Sequence, residues 1–151
     1  MIYFDIDGVL WNEKFFVING EWVENYPGKP TENKHAIELC KKLISNGYKV
    51  GILSKKWCHP NIDDIEWKKS LAQKLNIKTV ILIGQNDNKS DFHSDKTDIL
   101  IDDNLKNLIA WNGISIGYDD GYNKPVVHQN EFPVIDKNTS YEDLIQMLQK
   151  R

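Results

Sequence analysis

Two acidic clusters close apolar stretches far apart in the chain: Asp5-Ile6-Asp7-Gly8 after Ile2-Tyr3-Phe4, and Asp102-Asp103 after Ile99-Leu100-Ile101. Between them, Tyr48-Lys49-Val50-Gly51-Ile52-Leu53 ends on Ser54. Four carboxylates gathered at one place repel one another and cannot all stay ionised without a cation between them. Oxygen donors of this kind suit a hard ion, and Mg²⁺ is the natural candidate. A single strand-end Asp is more often the cap of a following helix, but an Asp-x-Asp-Gly and an Asp-Asp that each end an apolar strand go beyond that explanation. Gly8 lets the backbone after Asp7 turn sharply and approach a ligand. Sharing one site drives the proton affinities of Asp5 and Asp7 apart, so one can act as an ionised nucleophile and the other as a protonated general acid. Ser54 offers a hydroxyl and a neighbouring N–H to phosphate oxygens, and a lysine would complete such a site by neutralising phosphate charge and holding the nucleophile.

For those residues to meet, their segments must lie side by side. The runs 2–7, 48–54, 79–84 and 98–103 are short, rich in β-branched residues and without polar alternation, the pattern of strands buried on both faces of a parallel sheet. Helical patterns separate them. Thr31 is the expected cap of a helix carrying Ala36, Ile37, Leu39, Cys40, Leu43 and Ile44 and ending at Asn46-Gly47. Asn61 is the expected cap of a second, with Ile62, Ile65, Leu71 and Leu75 inward; Leu105, Leu108 and Ile109 mark a short third; Thr139 with Glu142 forms a capping box for the last. Residues 113–117 read as a fifth strand, and the polar stretch 85–96 as a loop or poorly formed helix. This order implies an α/β three-layer sandwich around a mainly parallel, Rossmann-like sheet, with ligands at the carboxyl ends of the strands. Between Asp7 and the first helix, two β-like runs flank Asn19-Gly20, a type I′ hairpin signal that places a flap over about residues 12–28.

Composition narrows the class. The chain has 151 residues, 40% hydrophobic and 27% charged, enough apolar material for one core and about the size of one domain. Lys plus Arg number 19 against 22 Asp plus Glu, a net charge of −3, which counts against an extended nucleic-acid footprint. The longest apolar run, Val80–Ile83, is far short of the roughly 20 residues of a membrane helix, and the N-terminal residues carry no secretory pattern. Two cysteines, Cys40 and Cys58, are expected as reduced thiols in a cytoplasmic protein.

The ordered set Asp5-Ile6-Asp7-Gly8-Val9-Leu10, Leu53-Ser54 and Ile99-Leu100-Ile101-Asp102-Asp103-Asn104 resembles motifs one, two and four of the haloacid dehalogenase (HAD) superfamily of phosphatases. With Trp67 in the helix after motif two, the detailed wording is similar to 5′(3′)-deoxyribonucleotidase-like members. The resemblance implies that Asp5 is the nucleophile that becomes a phosphoaspartate. It makes Asp7 the general acid/base, with a backbone carbonyl on Mg²⁺, and Ser54 the phosphate-binding hydroxyl. Asp102 is then the direct metal ligand and Asp103 a supporting carboxylate. For the motif-three lysine it offers Lys89 or Lys96; Lys89 is preferred, because Lys96 is almost against the strand. Members of the deoxyribonucleotidase kind carry a helical cap between motifs one and two, for which this chain has little room.

Trp11 and Trp57 follow motifs one and two and are candidates for stacking on a nucleobase at the rim, with packing roles as the alternative. Lys55 and Lys56 could add positive potential for an anionic substrate. Cys58-His59 lacks an orienting third group, His35, His93 and His128 lack metal-ligand spacing, and Asp119-Asp120-Gly121 reads as a turn bordering the site. The expected function is therefore a Mg²⁺-dependent phosphomonoesterase acting on small substrates, (deoxy)nucleoside monophosphates first. The alternatives are a capless phosphatase for polynucleotide ends or phosphoproteins, and a catalytically silent binding module. A receiver-type phospho-acceptor fits poorly, since its acceptor Asp comes from a middle strand.

Overall fold

The computed structural model describes residues 1–13, 15–24, 29–56, 64–93, 95–121 and 132–150. Strand β1 (Ile2–Phe4) is followed by a separate two-stranded antiparallel hairpin, β2 (Phe15–Ile18) and β3 (Glu21–Glu24). Its turn residues Asn19 and Gly20 have φ of 53° and 81°, the pair of positive values that a type I′ turn requires. Then come α1 (Lys34–Ser45), β4 (Val50–Lys55), α2 (Asp64–Lys74), β5 (Thr79–Ile83), a 3₁₀ turn at Lys89–Phe92, β6 (Ile99–Asp102), α3 (Leu105–Ala110), β7 (Ile114–Tyr118), β8 (Val134–Ile135) and α4 (Tyr141–Gln149). Six strands form one parallel sheet in the order β5-β4-β1-β6-β7-β8. The five sheet strands expected from the sequence are present, and β8 adds an edge strand too short to announce itself. Among the described residues no helical cap is inserted between β1 and β4.

Parallel strands covered on both faces need apolar side chains pointing both ways, which is why β1 and the middle of β4 read as uninterrupted apolar runs. Alternation along β1 divides the core in two. Ile2 and Phe4 join Ile52, Ile101 and Ile116 beneath Leu39 and Leu43 of α1 and Leu144 of α4. Tyr3 points the other way, onto Leu53, Ile83, Leu100 and Trp111. Each fully buried aliphatic or aromatic side chain of this kind stabilises the fold by about 2 kcal/mol.

Two expected caps and one inward residue are displaced. Helix α1 starts at Lys34 with Asn33 as its N-cap residue, and the Asn33 side chain instead donates to Val9 O and Tyr118 Oη, both at 2.9 Å. Thr31 is occupied as acceptor from Asn12 Nδ2 at 2.8 Å. In α4 the capping box is Ser140 with Asp143, one residue later than expected, because Thr139 Oγ1 accepts from Asp136 N at 3.0 Å. Ile65 of α2 is 39% exposed; the face turned inward is Asp64, Lys68, Leu71 and Ala72. The expected cap Asn61 and the residue Ile62 lie outside the described residues. No helix among the described residues is long and apolar enough to cross a membrane.

Candidate active site

The chain winds from β1 outward through β4 to β5, then returns to place β6 on the other side of β1. In such a sheet the crevice opens at the carboxyl ends of the two strands where the winding reverses, here β1 and β6. Parallel pairing of Phe4 with Ile101 sets Asp5 level with Asp102, and Asp5 N donates to Ile101 O at 3.0 Å. Asp5, Asp102 and Asp103, all buried, each offer a carboxylate oxygen within 4.8 Å of the others.

Lys89 binds this group together. Its side chain is 1% exposed, and Nζ donates to Asp102 Oδ2 at 2.7 Å and lies 3.1 Å from Asp5 Oδ1. Burial by itself would lower the Lys89 ammonium, but Asp102 and Asp5 outweigh it and hold the proton above the usual lysine range. The carboxyls respond in the opposite sense. Burial and then Asp5 push Asp102 up to about 6, against the pull of Lys89. Burial, then Asp102 and Asp5, push Asp103 well above the ordinary carboxylate range. Asp102 is further fixed by Asn104 N at 2.9 Å and Asn107 Nδ2 at 3.1 Å. Lys96, the other candidate, is exposed. Gly8, at φ 75°, packs so closely that a Cβ there would stand 2.1 Å from Asp103 Oδ2.

Ser54 ends the buried part of β4, next to β1. Its Oγ is fully buried and has no hydrogen-bond partner among the described residues, a cost of about 1–3 kcal/mol that a bound oxygen ligand would relieve. The donor set therefore fits both partners of a phosphate site: crowded all-oxygen carboxylates for a hard divalent ion, and an orphan hydroxyl with a buried ammonium for an anion.

Asp7 lies beyond the turn, half-buried, and its Oδ2 accepts from Lys68 Nζ at 2.6 Å. Lys68 is completely buried in α2 and escaped the sequence reading, as did Asp64 and Glu13. The available signal for Lys68 was its spacing from Leu71 and Leu75, which sets it on the inward stripe of its helix. Glu13 faces Asp103 and Asp120, all three offering oxygens within 4.8 Å of one another; burial and then Asp7 push it up to about 8. Asp120 thus borders the site, in keeping with its place after β7.

Of the residues considered for substrate choice, Trp11 is 1% exposed and packs in the larger core, and it also lines the cavity beside Gly8. Lys55 is half-buried at the end of β4, and Trp57, Cys58 and His59 lie outside the described residues. A cavity of about 520 Å³ opens beside Gly8, walled by Glu13, Asp119, Asp120, Asp136 and Lys137. Cys40 is buried in α1, its thiol pushed up to about 12 by burial, and is chemically inert.

No family model matches the sequence, and no curated protein matches it. Solved structures do. D,D-heptose 1,7-bisphosphate phosphatase from B. bronchiseptica, crystallised with magnesium and phosphate, aligns over 96% of this chain and 97% of its own at 14% identity, TM-score 0.63. 3-Deoxy-D-manno-octulosonate 8-phosphate phosphatase from Yersinia pestis aligns over 99% and 80% at 15% identity, TM-score 0.61. The enzyme of that name from Moraxella catarrhalis, in complex with magnesium, phosphate and the sugar acid, aligns over 99% and 84% at 17% identity, TM-score 0.57. At these identities the likeness is one of fold: the chain has the α/β architecture of these phosphatases over nearly its whole length.

Proposed function

We propose that this chain is a single-domain, Mg²⁺-dependent phosphomonoesterase that works through a phosphoaspartate on Asp5. The observation that carries the reading is the buried Lys89 ammonium between Asp5 and Asp102, with Asp103 completing three converging carboxylates. An ionised oxygen of Asp5 attacks phosphorus in line; the bond to the leaving alcohol breaks as the acyl phosphate forms, and Asp7 gives its proton to the departing oxygen. Asp7 then takes a proton from the water that hydrolyses the acyl phosphate. Ser54 and Lys89 hold and neutralise the phosphoryl oxygens throughout. Asp5, Asp102, Asp103 and the Asp7 carbonyl would hold Mg²⁺, which supplies positive charge against the transferring group when bound.

The substrate is a small phosphomonoester, and the setting is the cytoplasm. Motif wording favours nucleoside monophosphates, whereas the relatives of like fold are named for phosphorylated sugars. The cavity wall of Asp119, Asp120 and Asp136 against Lys137 favours an alcohol of little negative charge and disfavours a polynucleotide end. The test is release of inorganic phosphate from a panel of deoxynucleoside, ribonucleoside and sugar monophosphates, with Mg²⁺ and with chelator. Metal-dependent turnover of at least one ester is expected, abolished by Asp5→Asn with the fold intact. Residual activity above roughly one per cent of wild type in that variant refutes the nucleophile assignment, and no turnover of any ester turns the reading to a silent module.

A further inference from the structure

The acidic edge of the sheet contains a second buried ammonium that the reaction above leaves without a task. Lys68 is 0% exposed in the middle of α2. Its Nζ donates to Asp7 Oδ2 and to the carbonyl oxygen of Lys55, both at 2.6 Å, and lies 3.3 Å from Asp64 Oδ2. Two of the three ammonium N–H donors are taken by these hydrogen bonds, and the Asp64 carboxylate adds an ion pair. Withdrawing a lysine from water is costly, and an apolar side chain of similar length on this helix stripe would stabilise the fold as well or better, so a buried ion pair here is poor evidence of a purely structural role. The partners are telling. One is the carboxylate of the proposed proton carrier, and another is the backbone immediately after Ser54, the phosphate-binding hydroxyl. A single head group therefore ties the Asp7 side chain to the strand end that would hold the phosphoryl group, and it does so from a regular helix rather than from a loop.

We infer that Lys68 is a positioning residue that aims the Asp7 carboxyl at the leaving-group oxygen; the inference rests on the phosphomonoesterase reading. Proton delivery depends steeply on where the donor stands, since the carboxyl oxygen must come within hydrogen-bond reach of the departing atom as its bond to phosphorus breaks. Lys68 contacts Asp7, Asp64 and the Lys55 carbonyl but not Asp5, and its bearing on proton delivery runs through Asp7. Its effect must then scale with how much the leaving group needs a proton. An alkoxide needs one; p-nitrophenolate leaves without it.

The experiment is first-turnover rapid quench of alcohol or phenol release, with β-glycerol phosphate and p-nitrophenyl phosphate as the two esters, on wild type and Lys68→Met. The variant is expected to slow release from the glycerol ester by about 10²-fold, the size of a general-acid contribution, while altering release from the nitrophenyl ester by less than about threefold. Equal losses on both esters, or none on either, overturn the inference. Should Lys68→Met not fold, Lys68→Arg retains the charge but its planar fork cannot reproduce the three-way contact; it is expected to show the same bias in smaller measure, and equal effects on the two esters overturn the inference again. If wild type turns over neither ester nor any ester of the wider panel, the phosphomonoesterase reading itself fails, and this inference with it. Where another alkyl ester of the panel is preferred, it takes the place of β-glycerol phosphate, and a wild type active on both esters with an unbiased Lys68 variant removes only the inference.

Discussion

Two ammonium groups are buried on the same acidic edge, and they live in different electrostatic circumstances. Lys89 comes from a single 3₁₀ turn in a polar loop and faces Asp5 and Asp102, with Asp103 alongside. Lys68 comes from the middle of a regular helix and meets Asp7, Asp64 and a backbone carbonyl. Around Lys89 negative charge exceeds positive, and the excess is visible in carboxyls that hold their protons, Asp102 up to about 6 and Asp103 higher than usual, burial being the larger cause in each. Around Lys68 the excess is smaller, one ammonium facing two carboxylates and a carbonyl, against three carboxylates around Lys89. The first arrangement is incomplete in a way that a divalent ion would complete; the second closes on a buried ammonium from three sides and is suited to holding a side chain still.

Removing Lys89 is the most damaging way to probe that difference. Lys89→Met is expected to lower turnover by at least about 10²–10³-fold, the scale for losing one preorganised group that stabilises developing charge. It should do so for alkyl and aryl esters alike, in contrast to Lys68. Without metal the variant should also lose about 3–5 kcal/mol, because Asp5 and Asp102 are left buried and unpaired. Since the missing charge was positive, affinity for Mg²⁺ should hold or rise even as turnover falls. Steady-state rates and the Mg²⁺ dependence of thermal melting measure the two effects; a loss confined to alkyl esters would erase the distinction between the lysines.

A smaller effect follows from the carboxyls. Asp102 is raised from 3.8 to about 6 and Glu13 from 4.5 to about 8. Between the ordinary and the raised values the folded protein binds more protons than the unfolded chain, so stability is present at the acid end and is lost as pH rises. The metal-free protein is therefore expected to melt at progressively lower temperature from about pH 4 to pH 8. Mg²⁺ favours the ionised carboxyls and should flatten the slope, with its largest stabilisation near pH 8 and with proton release on binding. Melting curves with chelator and with Mg²⁺ across that range test this; a metal-free melting temperature that climbs with pH would contradict the unbalanced charge around Lys89.

The contrast also separates what could be read in the chain from what could not. The sheet was legible because apolar runs such as 99–101 are long enough to state their burial without knowledge of their neighbours, and Asp5 and Asp102 were legible because they end such runs. Lys89 was preferred over Lys96 from its distance to the strand, and the structure buries the one and exposes the other. Lys68 was missed because Trp67-Lys68-Lys69-Ser70 has the look of a helix surface; its spacing from Leu71 and Leu75 pointed inward, but taking Ile65 as inward too set α2 at a different rotation from the one that buries Lys68. Glu13 was missed for a related reason, since its meeting with Asp103 and Asp120 joins segments about a hundred residues apart through the turn at Gly8. Capping residues slipped by one or two positions because the expected side chains are engaged elsewhere, Thr31 by Asn12 and Thr139 by the backbone of Asp136.

The gentlest probe acts within the Lys68 group itself. Asp64 lies one turn before Lys68 on α2, 3.3 Å from its Nζ, in the helix's first turn where a carboxylate also favours the dipole. Asp64→Asn keeps the shape and leaves both 2.6 Å contacts of Lys68 in place. If Lys68 serves the site through Asp7, this substitution should cost about 1–2 kcal/mol of stability, the scale of a weakened charge-assisted contact, while the ratio of alkyl to aryl ester turnover stays at the wild-type value. Chemical denaturation gives the first quantity and the two-ester assay the second. A shift in that ratio as large as the one from Lys68→Met would mean that Lys68 is aimed by Asp64 as much as it aims Asp7, and the two carboxylates around it would have to be treated as one unit.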